Sequence, residues 1–194
     1  FALDLFHVWA QLAPYVSFES LIVLGDAVIT ATSKQPVLAK DRDAAAIYQD
    51  LVKFVEQFTR FRGRPSCVRA LPLISPGADS PKESEERLSL VAHGIPQRLR
   101  TMWCRTRLLH LELPITLDLA WPEFKVAVEY DGDHHRTSKT QWRRDQEKRG
   151  MLVGRRWLVF IATAASIANE DTRAEFAFNV RGRLLRAVPY SSFM

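Results

Sequence analysis

Cysteine is scarce in this chain of 194 residues, with only Cys67 and Cys104. Two thiols make no disulfide framework, and neither stands in CxxC or another metal-ligand spacing. Both therefore read as small buried hydrophobes of a reducing compartment. A zinc site drawn from Cys104, His110, His134 and His135 has no ligand spacing behind it. Long apolar runs are missing as well. The best candidate, Leu21 to Ala31, falls short of the ~20 apolar residues that span a bilayer and carries Asp26. Nothing reads as a signal peptide, an internal repeat or a low-complexity tract. These absences point to a soluble protein, expected in the cytoplasm, with no membrane partner. The first residue is Phe1 rather than Met, so the natural start is expected to be truncated.

What is present is ordinary globular material, 47% hydrophobic and 25% charged, with a net charge of +5. The positive excess is uneven. Arg136, Lys139, Arg143, Arg144, Lys148, Arg149, Arg155 and Arg156 crowd one segment against only Asp145 and Glu147, and Arg98, Arg100, Arg105 and Arg107 lie upstream. Such clusters suit a polyanion such as nucleic acid, although a solvated helix face carries the same composition.

Pro72 to Pro81 holds three prolines and a glycine and divides the chain into a helical region, 1–75, and a second domain, 76–194. In the first region Leu5, Phe6, Trp9 and Leu12 fall at helical spacing, as do Ile47, Leu51, Phe54, Val55 and Phe58. Leu21 to Ile29 suits a buried helix, and Arg60-Phe61-Arg62-Gly63-Arg64-Pro65 a basic turn. In the second domain Ser80, Pro81 and Glu83 form a helix-start signal, with the helix ending near His93 before Gly94. Strands are expected at Leu108–Leu113, Ile115–Ala120 and Lys125–Tyr130. A charged helix follows over Ser138–Val153, then a strand at Trp157–Ala162 and a helix over Ala174–Ala187. This is an α/β domain with a mixed sheet.

Strand side chains alternate faces, so Asp118 shares a face with Thr116 and Ala120, and Glu129 with Lys125, Ala127 and Asp131. A tight turn pairing Trp121 with Phe124 would set Asp118 opposite Ala127 and diagonal to Glu129, about 7–8 Å away. Carboxylates among apolar residues are costly to bury uncompensated. A hard cation such as Mg²⁺ or Mn²⁺ removes that cost, and it can polarise a phosphoryl group and activate water. Otherwise, Asp118 pairs with an arginine and Asp131-Gly132-Asp133 is a turn.

Four stretches carry a resemblance: Ser80-Pro81-Lys82-Glu83-Ser84, Leu117-Asp118-Leu119-Ala120-Trp121-Pro122-Glu123, Val128-Glu129-Tyr130-Asp131-Gly132-Asp133-His134-His135-Arg136, and Asp145 with Arg149. Together they resemble an endonuclease-like family of unknown function grouped with very-short-patch repair endonucleases, within the PD-(D/E)xK restriction-endonuclease-like superfamily. The resemblance covers roughly Pro76 to Ala187. The helical half is similar to the N-terminal part of actinobacterial members, some of which begin with an antitoxin-like winged-helix segment.

The resemblance implies a restriction-endonuclease-like α-β-β-β-α-β core with a metal site on its central strands. Asp118 and Glu129 match the two acidic ligands, and Glu83 matches the glutamate of the first helix that reaches the site. A capping box uses Glu83 equally well. Where the superfamily places a lysine, this chain has Asp131, expected to bind metal or orient water. His134 or His135 is then the candidate general base, by analogy with very-short-patch enzymes. Lys139, Gln141 or Arg144 is the candidate positive or polar partner. Arg136, Lys139, Gln141, Arg143, Arg144, Lys148 and Arg149 are the expected nucleic-acid contacts, with Arg143, Arg144 and Lys148 on phosphates. Asp145 and Arg149 can pair within the helix, and Trp142 and Trp157 are expected in the core.

The expected activity is Mg²⁺- or Mn²⁺-dependent endonucleolytic cleavage of DNA, with a homodimer left open. The alternative is a catalytically inactive, nuclease-like protein that binds nucleic acid or acts in a toxin–antitoxin setting.

Overall fold

The computed structural model describes residues 4–78, 80–95, 103–107, 116–131 and 139–186. The chain is mixed α/β and mostly helical, and it divides into two compact units, 1–88 and 89–194. The division falls within a helix, later than the proline-rich boundary near 75.

The first unit is helical: α1 (Leu5–Leu12), α2 (Phe18–Lys34), α3 (Pro36–Ala39), α4 (Ala44–Gln57), α5 (Arg64–Ala70) and the start of α6 (Pro81–Ala92). Side-chain caps open α1, α2 and α4. Asp4 accepts from the His7 amide, Ser17 from the Ser20 amide and Asp43 from the Ala46 amide. The apolar positions read at helical spacing form its core, where Trp9, Leu21, Ile29, Ile47, Leu51 and Val55 pack with the free thiol Cys67. The Trp9 indole donates to the Leu21 carbonyl at 2.8 Å.

Charge is buried in this unit too. Asp26 on α2 accepts from the Ser75 amide at 2.7 Å, the Ser84 hydroxyl at 2.6 Å and the Arg87 guanidinium at 2.7 Å. Arg87 also donates to the Leu73 carbonyl at 2.7 Å, and Thr30 donates to the Ala78 carbonyl at 2.7 Å. These bonds tie the 73–78 stretch and the first half of α6 to α2. That is why the contact boundary lies beyond the prolines. Burial pushes the Asp26 carboxyl up, against the pull of Arg87.

The second unit holds β1 (Trp103–Arg107), β2 (Thr116–Trp121), β3 (Val126–Tyr130), α7 (Lys139–Gly154), β4 (Leu158–Ala162) and α8 (Glu170–Arg186). The sheet order is β1-β2-β3-β4, antiparallel except for the parallel β3–β4 pair across α7. Helix, three strands, helix, strand, helix is thus the observed order. The strand expected at 108–113 lies outside the described residues, and the reading missed β1. Trp-Cys-Arg-Thr-Arg lacks a strongly apolar alternation, and among the described residues it is an end strand paired with β2 alone, a position where charge is tolerated. Leu119, Trp121, Val126 and Val128 face Ala177, Val180 and Leu184 of α8, while Ala120 and Ala127 face Leu152 of α7. Trp157 packs with the latter cluster, as expected.

Arg87 and Asp26 are 0% and 1% exposed, so neither charge is screened by water. Arg87→Met should cost about 3–5 kcal/mol by leaving Asp26 buried without its counter-charge. Urea unfolding of the two proteins measures this, and an unchanged midpoint would show that the pair carries no stability.

Candidate active site

The turn between β2 and β3 sets the site. Pro122 starts a 3₁₀ turn over Pro122–Phe124, the Lys125 amide donates to the Pro122 carbonyl at 3.1 Å, and Lys125 takes a left-handed φ of 52°. The connection therefore consumes four residues, and Trp121 pairs with Val126 rather than Phe124. Ala127 stands opposite Ala120, not opposite Asp118. The expected register was wrong by two residues, because proline at the first turn position favours a wider turn. Continuing the observed count puts Asp118 directly across from Glu129, closer than the diagonal arrangement expected.

Asp118 is half-buried, and its Oδ2 accepts from the Tyr130 amide at 2.9 Å. The carboxylate thereby takes a donor at the end of β3 and is held against the backbone next to Glu129. Glu129 lies on the same face as Ala127, and its Oε1 accepts from the Lys148 Nζ of α7. Lys148 arrives there because Leu152, one turn further along α7, is buried against Ala120 and Ala127. Burial pushes the Glu129 carboxyl above its usual range, Lys148 pulls it down, and the Asp118 charge raises it again. Asp131, whose amide donates to the Ala162 carbonyl at 2.8 Å, carries its carboxylate 4.0 Å from Arg149.

The three-acid cluster is not assembled. Among the described residues no group of three or more His, Cys, Asp and Glu side chains is placed to hold a metal ion. Asp131 is drawn toward Arg149, which leaves a carboxylate pair, Asp118 and Glu129. That pair has the chemistry of a hard-cation site, since Mg²⁺ needs only one or two carboxylates with water and phosphate oxygens completing its shell. Among the described residues, Asp118 Oδ1 and Glu129 Oε2 accept no hydrogen bond, so each acid retains an oxygen for a ligand.

Other expected residues fare differently. Glu83 belongs to the first unit, where its amide donates to the Ser80 hydroxyl at 3.3 Å and its carboxylate accepts from that hydroxyl at 3.0 Å. It serves the start of α6. Lys148, expected on phosphate, bonds to Glu129, and Arg149 lies 4.0 Å from Asp131. Arg143 is exposed on α7. Lys139, Gln141, Trp142, Arg144 and Asp145 lie on α7, with side chains outside the described set, and His134, His135 and Arg136 lie outside the described residues. The sequence did signal Lys148, which shares a helical face with Leu152. What it did not supply was the target of that face.

Two uncharacterized proteins of Mycobacterium tuberculosis, one from strain CDC 1551 / Oshkosh and one from strain ATCC 25618 / H37Rv, are each 30% identical to the chain over 125 residues. The match covers 59% of this chain, which spans about two fifths (40%) of each relative's length. No family model matches, and neither does any solved structure. Among the described residues no helix is long and apolar enough to cross a membrane.

The raised Glu129 carboxyl gives a pH signature. It holds its proton more tightly folded than unfolded. Its stabilising contribution is therefore complete below the unfolded value of about 4.3 and is lost as pH rises through the elevated folded value. In EDTA, the wild-type melting temperature relative to Glu129→Gln should decline as pH climbs upward from about 4.3. A difference that stays flat across that range removes the assigned cause.

Proposed function

We propose that the chain is a metal-dependent endonuclease with a restriction-endonuclease-like core, hydrolysing phosphodiester bonds in DNA. The observation that carries this reading is the carboxylate pair: Asp118 and Glu129 on one sheet face, with Lys148 bonded to Glu129. The sequence motifs around both acids support it.

Asp118 and Glu129 would hold Mg²⁺ or Mn²⁺, which when bound supplies Lewis-acid polarisation of the phosphoryl oxygen and a more acidic water. The Tyr130 amide keeps Asp118 oriented. Lys148 holds Glu129 in place and brings a fixed positive charge to the site, the kind of group that stabilises charge developing on a phosphoryl oxygen. It answers for the lysine missing at position 131, a role the sequence had suggested for Lys139, Gln141 or Arg144. Arg149 keeps Asp131 at the rim, where that carboxylate can orient water. His135 or His134 would move protons. Exposed Arg143 and its neighbours on α7 would position the phosphate backbone without reading sequence, since α7 carries five basic residues against two acidic ones.

A second reading rests on the ion pairs. Lys148 with Glu129 and Arg149 with Asp131 balance two of the three acids without any metal. A nuclease-like domain that binds nucleic acid in a regulatory role, without cutting, fits that neutrality.

A plasmid cleavage assay with and without Mn²⁺ separates the two. Asp118→Ala should abolish metal-dependent cutting, and Lys148→Ala should slow it about 10²-fold while leaving the fold intact. Wild-type rates in the Asp118→Ala protein would overturn the endonuclease. Salt-sensitive DNA binding with no metal-dependent cleavage would favour the second reading.

A further inference from the structure

The basic turn at 60–65 belongs to the first unit. Gly63 adopts φ 91°, and a Cβ there would stand 2.9 Å from both Ala13 Cβ and Pro14 Cδ. The turn after α4 therefore lies directly on the turn between α1 and α2, an approach that needs glycine. Through this contact the Arg62 guanidinium lies 5.8 Å from the Tyr15 ring centroid. The aromatic surface continues through Phe61, stacked on Phe58 at 5.0 Å with 10° between the planes. At the start of α2, Arg69 lies 4.7 Å over Phe18. Tyr15 is 74% exposed and Phe58 39%.

Between Phe58 and Arg69 the charge is of one sign, while Glu19 and Glu56 lie at its borders. No acidic residue occurs between Glu56 and Asp79, a stretch containing Arg60, Arg62, Arg64 and Arg69. Among the described residues none of these arginines is in an ion pair. Asp4 is held by His7 at 2.8 Å, and the His7 ring packs on Phe58.

We propose that this surface binds single-stranded nucleic acid, with bases on Tyr15 and Phe58 and phosphates on Arg60 and Arg62. Exposed aromatic rings among unpaired arginines match the two faces of a single strand, since every unstacked base offers a π surface and every nucleotide a negative charge. A guanidinium lying over a ring keeps its N–H edge free for phosphate. A duplex hides its base faces and would engage only the arginines. An acidic polypeptide would do the same and would be indifferent to Tyr15. The site belongs to the first unit and does not depend on whether Asp118 and Glu129 cut.

Binding of the full chain to a fluorescent oligothymidylate, and to a duplex of equal length, tests this in EDTA. Tyr15→Ala should weaken single-strand binding at least about fivefold and leave duplex binding unchanged. The double variant Arg60→Ala/Arg62→Ala should weaken both and flatten the slope of log affinity against log salt by about 1.4 for the single strand, two contacts at about 0.7 each. Photo-crosslinking with an iodouracil oligonucleotide should label peptides containing Tyr15 or Phe58. The assignment fails if crosslinks are confined to residues 116–186. It fails equally if Tyr15→Ala, with an unchanged melting temperature, binds the single strand like wild type. Polyglutamate displacing the oligonucleotide with equal potency from wild type and Tyr15→Ala would mark an acidic protein partner and overturn it. Since none of these readouts involves cleavage, failure here leaves the endonuclease assignment to its own assay.

Discussion

Glu129 sits under opposing influences, with Arg149 adding to the pull of Lys148, and the chemistry of the second unit depends on their balance. Burial against Ala127 and α7 favours the protonated acid, the neighbouring Asp118 favours it further, and the Lys148 ammonium opposes both. Unit charges 4 Å apart interact by about 4 kcal/mol at the effective dielectric of a protein surface. Moving Lys148 or Asp118 by one residue would therefore change the charge state of the site rather than its shape alone. Each partner is delivered by a different element, Asp118 by β2 and Lys148 by α7. The position of Glu129 thus expresses the packing of the whole sheet.

Two constraints deliver those partners. The 3₁₀ turn at Pro122 sets the β2–β3 register, and the burial of Leu152 sets the rotation of α7 over the sheet. The parallel β3–β4 pair holds α7 as a crossover on the Ala120–Ala127 face, while α8 covers the opposite face. Small residues at Ala120 and Ala127 let the helix approach, and the acids lie along the same face beyond them. The first unit solves a different problem with similar physics. Asp26 and Arg87 are buried together and satisfied by Ser75, Ser84 and the Leu73 carbonyl, which ties a proline-rich stretch to α2 and α6. A buried ion pair of this kind contributes little net stability but makes the removal of either member costly.

The two units carry different surface chemistry. α7 carries charge suited to phosphate and lies beside carboxylates suited to a cation, whereas the 58–63 loop and the Tyr15 turn pair charge with exposed rings. The mycobacterial relatives are more than twice as long as the matched stretch.

The sequence by itself determined most of the elements, though not β1. Apolar spacing placed α1, α2 and α4, Ser80 with Glu83 opened α6, and the alternation around Asp118 and Glu129 placed the two central strands and the face their acids share. Local chemistry suffices there, because hydrophobic period and caps act within a few residues. Tertiary structure alone decided which groups meet. The register of β2 on β3 depended on how many residues the Pro122 turn consumes, and the counter-charge on Glu129 depended on how Leu152 seats α7. Asp131 went to Arg149 rather than to its fellow acids for the same reason. Pairings between distant segments are chosen by packing, which no stretch of sequence contains on its own.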